Sequence, residues 1–428
     1  MRKLPAVAAW ALASFSLRAN ISRSKFLKLM PWRLVLMGSC LSLQAMAQAT
    51  GPNDLATKPP VWIGFDDAFG QKTNTSAMAI EWGIKAAMEE INAAGGVLDG
   101  RPLRLVTTDN KGITARGKDN FIELAGTKDL VAVLGGKFSP IIIEMVPEAQ
   151  KLKIPLISVW GSADLITDHN EKPSYTFRVS LKDEWGIEAM MRRMAVKHKA
   201  RKARKACAIL PNTEWGRSAE RVIQSKATQQ KIQFPVVRWY NWGDPSLKTQ
   251  YQSCLDAQTQ SLLLVANEKE AAVLIREIAE RPESQRLPIV SHWGAVGGTL
   301  HDLVKDDLAS VNIDFIQTFT FINNKRPRAL ALANWILKNT DLKNSGDIPS
   351  PVGAAHAYDT VHLLASAIQI SKTTNPQKIR DGLEKLPAFN GAVRNYTEPF
   401  SEHRHDALDR SQVLFVKLSP TGRLNPQD

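Results

Sequence analysis

The chain has 428 residues, 44% of them hydrophobic and 23% charged, which excludes a disordered or low-complexity polypeptide. Its length exceeds what one compact core holds and predicts two domains. The formal charge of +13 suggests a nucleic-acid binder until it is located: seven basic residues and no acidic one lie within residues 1–47, six more lie within residues 197–205, and the remainder nets to zero. A nucleic-acid surface interleaves its cations with aromatics or spreads them along a groove. The second run instead stands where a helix should end before a strand, and cations there complement the carbonyl end of the helix dipole. No nucleic-acid partner is expected.

Residues 1–47 read as a signal peptide. Lys25, Lys28 and Arg33 precede the apolar run 34–43, and Ala45-Met46-Ala47 follows as a cleavage site. Ten apolar residues are too few to span a bilayer. A second reading stays open, in which Met37-Gly38-Ser39-Cys40 is a lipoprotein signal and Cys40 is acylated. Both readings place the protein in a bacterial periplasm. After cleavage only Cys207 and Cys254 remain, and a disulfide or two buried free thiols are equally compatible with their positions.

From residue 61 the chain alternates. Strands at 61–65, 103–108, 130–136 and 154–159 are separated by helical patterns. In the first of these, Ala77, Ile80, Ile84, Ala87, Met88 and Ile91 share one face. An extended segment, 175–179, closes this series. A second series follows: helix 184–199, strand 206–210, helix 216–230, strand 234–239, helix 246–257, strand 261–265, helix 269–281 and strand 289–291. Beyond it lie a β-rich run at 313–322, helices at 353–371 and 376–386, and a strand at 412–418. The pattern predicts an α/β fold of two similar lobes, each a parallel sheet covered by helices, with ligands held beyond the strand C-termini. The loops 135–140 and 158–162 stand at those ends.

No nucleophile elbow, P-loop, dinucleotide fingerprint or zinc-protease motif occurs. The run Gly95-Gly96-Val97-Leu98-Asp99-Gly100 follows a helix and reads as a turn. His403, His405, Asp406 and Asp409 have metal-ligand chemistry, but Arg404 and Arg410 beside them oppose a cation, and the segment reads as an exposed loop. His292, beside Trp293 at a strand end, reads as a hydrogen-bonded pocket or core residue rather than a base. Trp160, Trp215, Trp242 and Trp293 each fall just after a predicted strand, on the edge that would face a cleft. Four indoles at equivalent positions suggest a shared ligand wall.

Residues 83–96, with Ile84-Lys85-Ala86-Ala87-Met88-Glu89-Glu90-Ile91-Asn92-Ala93-Ala94 closed by Gly95-Gly96, resemble the first helix and turn of the periplasmic leucine/isoleucine/valine-binding proteins. These are type I solute-binding components of ABC transporters. Val133-Leu134-Gly135-Gly136, Ile154-Pro155-Leu156-Ile157-Ser158, Glu214-Trp215-Gly216 and Tyr358-Asp359 extend the resemblance over about residues 59–420. It implies two Rossmann-like lobes, 59–178 with 323–395 and 179–322 with 396–428, joined by three crossovers at Val179, Phe321 and near Asn395. Closure by hinge motion would follow.

The resemblance further implies an exported, monomeric, non-enzymatic receptor without cofactor or metal. It would capture a small organic ligand (amino-acid-like, amide or aromatic) and deliver it to an ABC permease in the inner membrane. The alternative is a periplasmic sensor that docks on a membrane signalling receptor. By this resemblance the hydroxyl that receives a ligand carboxylate is Ser139, with Phe138 beside it. The backbone-and-hydroxyl pair of the next loop is Trp160 and Ser162, and the second lobe's aromatic is Trp215. The family's ammonium-pairing acid is replaced by Trp293 and a pocket tyrosine by Asn267. An α-ammonium would then be buried unpaired, which disfavours a zwitterionic amino acid. Ser139, Ser162 and nearby backbone N–H groups suit an anion or amide. The indoles suit an aromatic, an apolar tail or a quaternary ammonium.

Overall fold

The structure is a computed structural model that describes residues 58–197 and 204–427. The expected export signal, Cys40 and most of the basic run 197–205 lie outside those residues. Strand β1 (Val61–Asp67), helix α1 (Ser76–Ala93), β2 (Leu103–Asp109), α2 (Thr114–Ala125), β3 (Leu130–Gly135), α3 (Ser139–Leu152), β4 (Leu156–Ser158) and β5 (Thr176–Arg178) build the first lobe. Its sheet is parallel throughout, in the order β2-β1-β3-β4-β5. Every residue of β3 is buried, as expected of a strand covered by helices on both faces.

The second lobe follows as α4 (Asp183–Lys197), β6 (Lys205–Pro211), α5 (Glu214–Lys226), β7 (Gln233–Tyr240), α6 (Lys248–Asp256), β8 (Ser261–Leu264), α7 (Glu268–Ala279), β9 (Ile289–Ser291), α8 (Leu300–Val304) and β10 (Ile313–Gln317). The order β7-β6-β8-β9-β10 repeats that of the first sheet. In each lobe the strand order reverses beside the first strand, and a crevice opens at that point.

The chain then returns to the first lobe with α9 (Pro327–Lys338), α10 (Pro351–Ser371) and α11 (Pro376–Leu383). Helix α10 lies so close along α1 that a Cβ on Gly83 would meet the Ala354 carbonyl oxygen at 2.1 Å. A short hairpin, β11 (Phe389–Asn390) with β12 (Asn395–Tyr396), precedes β13 (Leu414–Leu418) and β14 (Leu424–Gln427), which add antiparallel to β10 at the edge of the second sheet. Helix α9, the hairpin and β14 were absent from the sequence reading. The run 313–322 is strand only as far as Gln317.

The last crossing does not occur near Asn395. Arg178 N–H donates to His405 O at 2.8 Å and Ala407 N–H donates to Arg178 O at 2.9 Å, so residues 405–407 extend the first sheet beyond β5. Strand β5 would otherwise be an edge with buried, unpaired backbone groups. The segment expected to be an exposed loop is therefore largely internal: His405 and Asp406 are both buried.

Cys207 in β6 and Cys254 in α6 are bridged, with Cα atoms 5.5 Å apart and a sequence separation of 47. Closing a loop of that size in the unfolded chain contributes about 4 kcal/mol in the chain-entropy treatment. Replacing both cysteines by alanine is expected to lower the urea midpoint accordingly. An unchanged midpoint would mean that the bridge is not formed in solution.

Candidate functional site

The C-terminal ends of the two parallel sheets face each other. The turn from β3 into α3 carries Lys137, Phe138 and Ser139, and the loop after β4 carries Trp160 and Ser162. From the second lobe come Trp215 at the start of α5, Trp242 after β7, Asn267 after β8, and Trp293 with Gly294 after β9. These ten residues wall one narrow cavity of about 10 Å³. All seven residues singled out from the sequence (Phe138, Ser139, Trp160, Ser162, Trp215, Asn267 and Trp293) stand in this wall, and Lys137, Trp242 and Gly294 complete it.

Trp242 carried the same positional signal as the other indoles. Gly294 had no sequence signal, yet a Cβ there would meet the Trp215 ring at 2.6 Å and the Ala266 carbonyl oxygen at 2.7 Å. A larger cavity, about 780 Å³ along Met88, Leu103, Leu105 and Trp335, is an open groove on the first lobe and involves none of these residues.

Aromatic pairs span the cleft: Trp160 with Trp293 at 6.1 Å between ring centres, and Phe138 with Trp242 at 5.4 Å. The Ser139 hydroxyl accepts the backbone N–H groups of Ser162 at 3.0 Å and Ala163 at 3.2 Å. By the sequence reading, Ser139, Ser162 and nearby backbone N–H groups suit an anion or amide. Here Ser139 takes those two N–H groups, and its own O–H becomes the donor. The indole N–H groups of Trp215 and Trp242 are buried and find no acceptor among the described residues, a costly condition for a polar group.

The loop after β4 is held from behind by Arg178, which is fully buried. Its guanidinium donates to the carbonyl oxygens of Ser162 (2.6 Å), Ala163 (3.0 Å) and Asp164 (3.2 Å), to the Thr167 hydroxyl, and to Asp406 at 2.7 Å. His356 of α10 is a second strut. Its Nδ1 lies 3.0 Å from Val159 O and its Nε2 lies 2.9 Å from the Thr318 hydroxyl. Burial pushes this imidazole down to about 4.

Ser162, His292 and Asp183 meet in the same region, but not as a nucleophilic relay. His292 Nδ1 accepts the Gly294 N–H at 3.3 Å, which leaves the ring proton on Nε2. That one nitrogen faces both the Ser162 hydroxyl at 3.5 Å and the Asp183 carboxylate at 3.3 Å. A relay requires serine and acid on opposite nitrogens. Asp183 is instead the first residue of α4, where the helix dipole favours a carboxylate.

The lobes are in contact across the cleft. Lys137 Nζ lies 2.5 Å from Glu268 Oε2, Thr73 donates its hydroxyl to Glu268 at 3.3 Å, and Thr299 N–H donates to Thr73 O at 3.0 Å. Behind Lys137, burial raises the Asp67 carboxyl from 3.8 to about 7, against the lowering effect of the Ala68 and Lys137 N–H groups. Between those values the folded chain holds a proton that the unfolded chain releases, so this group's contribution to stability falls as pH rises toward 7. His356 and His362, both lowered to about 4, tilt the other way below pH 6.5. The difference between wild type and Asp67→Asn isolates the first effect. The wild type is expected to gain stability relative to the variant as pH falls from 8 to 5, and parallel curves would refute the assignment.

A family model described as periplasmic binding protein matches residues 60–413. No curated protein matches the chain. Among solved structures, a type 1 periplasmic binding protein from Bordetella pertussis Tohama I is similar with a TM-score of 0.75 and 19% identity, covering 86% of this chain and 100% of that one. The substrate-binding protein LivJ of a branched-chain amino acid transporter from Streptococcus pneumoniae, in complex with isoleucine, gives 0.70 and 22%, covering 86% and 99%. An ABC transporter solute-binding protein from R. palustris, in complex with benzoate, gives 0.69 and 14%, covering 86% and 95%.

Proposed function

Since the chain belongs to the periplasmic binding protein family, we propose that it is an exported receptor that captures a small organic carboxylate with a flat apolar body and no ammonium group, and delivers it to an ABC permease in the inner membrane. The family binds solutes and does not transform them. One observation carries the choice of ligand: the cavity wall offers two serine hydroxyls, the Asn267 amide and two indole N–H groups without acceptors, but not one carboxylate. Donors without acceptors call for a ligand rich in acceptor oxygens, and the indole faces call for a flat or apolar body.

A quaternary ammonium fits less well than the indoles alone suggested, because the wall carries no carboxylate to balance it. The R. palustris protein, whose structure holds benzoate, supports the same chemistry.

Ligand that binds only the native state must raise its melting temperature. Benzoate and phenylacetate are expected to do so, whereas leucine and choline are not. Stabilisation by leucine with none from the carboxylates would overturn this reading.

A further inference from the structure

Lys137 lines the cavity, and the charge of its ammonium is already matched. Nζ lies 2.5 Å from Glu268 Oε2, 3.3 Å from the Gly297 carbonyl oxygen and 5.5 Å from the centre of the Phe138 ring. The Lys137 and Glu268 side chains are 1% and 3% exposed. A carboxylate, a carbonyl and an aromatic face around one cation are what a ligand's primary ammonium needs in order to leave water. Here a side chain of the protein supplies that ammonium.

We propose that Lys137 determines specificity: it is a resident ammonium that fills an amine subsite formed by Glu268, Gly297 and Phe138, so that the closed receptor admits solutes lacking a primary amine. The inference rests on reading this cavity as the ligand site. The pair spans the cleft, since Lys137 comes from the first lobe and Glu268 from the second. An amino acid would have to displace the tethered cation, whose local concentration no free amine matches. Glu268 cannot serve both at once.

Truncating Lys137 to alanine removes three methylenes and the ammonium, the atoms of n-propylammonium. Calorimetry of Lys137→Ala with that probe is expected to show one-to-one binding at least tenfold tighter than in wild type, lost again in Lys137→Ala/Glu268→Ala. A folded Lys137→Ala that gains no affinity, or a gain that persists without Glu268, would overturn the proposal. If Lys137→Ala does not fold alone, refolding in millimolar n-propylammonium replaces the titration; recovery supports the subsite and failure to recover rejects it. Wild type with benzoate separates the two readings. Benzoate bound without the amine gain removes only this inference. The amine gain without benzoate binding leaves it standing and removes the carboxylate class.

Discussion

Trp293→Ala is expected to weaken binding of an aromatic carboxylate at least tenfold and to destabilise the fold by about 3–5 kcal/mol, the usual range for truncating a buried aromatic. Trp293 is 1% exposed. It enters the cavity from the short turn after β9, which His292 fixes by accepting the Gly294 N–H. Its ring packs across the cleft on Trp160 and, within 6.0 Å, on His292 and His356. Truncation therefore removes a ligand wall and a contact between lobes together. Trp293→Phe separates the two, because it keeps an apolar ring of smaller area. Most of the stability should return while affinity recovers only in part. Calorimetry with benzoate alongside urea unfolding measures both quantities. Unchanged affinity in Trp293→Ala would take this residue out of the site.

Arg178→Met is expected to cost about 3–5 kcal/mol, the range for breaking a buried ion pair by removing one partner. The loss is compound. Asp406 stays buried without its cation, and the carbonyl oxygens of Ser162, Ala163 and Asp164 each lose the guanidinium as a donor, though Ser162 O keeps the Asp183 N–H and Asp164 O keeps those of Thr167 and Asp168. Those carbonyls belong to the loop that presents Trp160 and Ser162, so affinity should fall with stability. Arg178→Lys should restore little, since an ammonium cannot reproduce the planar fork. Arg178→Met/Asp406→Leu should be less damaging than Arg178→Met alone, because no charge is then left unpaired. Urea midpoints of the three variants check the order; equal midpoints for Arg178→Met and wild type would show that the loop is held by other contacts.

Why the tryptophans were legible and the ion pairs were not follows from where each signal resides. In a doubly wound sheet every parallel strand ends on the same edge, so a residue just after a strand is placed by local pattern alone. Trp160, Trp215, Trp242 and Trp293 needed nothing more, and the structure brings all four to one cavity. Lys137 and Glu268 are 131 residues apart, and Arg178 and Asp406 are 228 apart. Neither pair leaves a periodicity or a motif, and each polar residue alone reads as surface.

The same holds for residues 405–407, whose extended form comes from pairing with β5 rather than from their own composition. Strand β14, Leu424–Gln427, contains Pro426 and follows a turn, so propensity argues against it. It forms because β13 offers an edge. Ser139 was assigned a ligand-facing role by resemblance, and the redirection of its hydroxyl toward Ser162 and Ala163 required coordinates.

The most direct test of the account is to identify what the receptor carries. Protein purified without denaturant from cells grown on a mixed carbon source is unfolded, and the released small molecule is identified by mass spectrometry. The predicted result is one compound per chain that bears a carboxylate and a flat or apolar body and has no primary amine. Recovery of an amino acid with its α-ammonium intact would contradict the account, because neither the cavity wall nor the Lys137–Glu268 pair leaves a carboxylate to receive it.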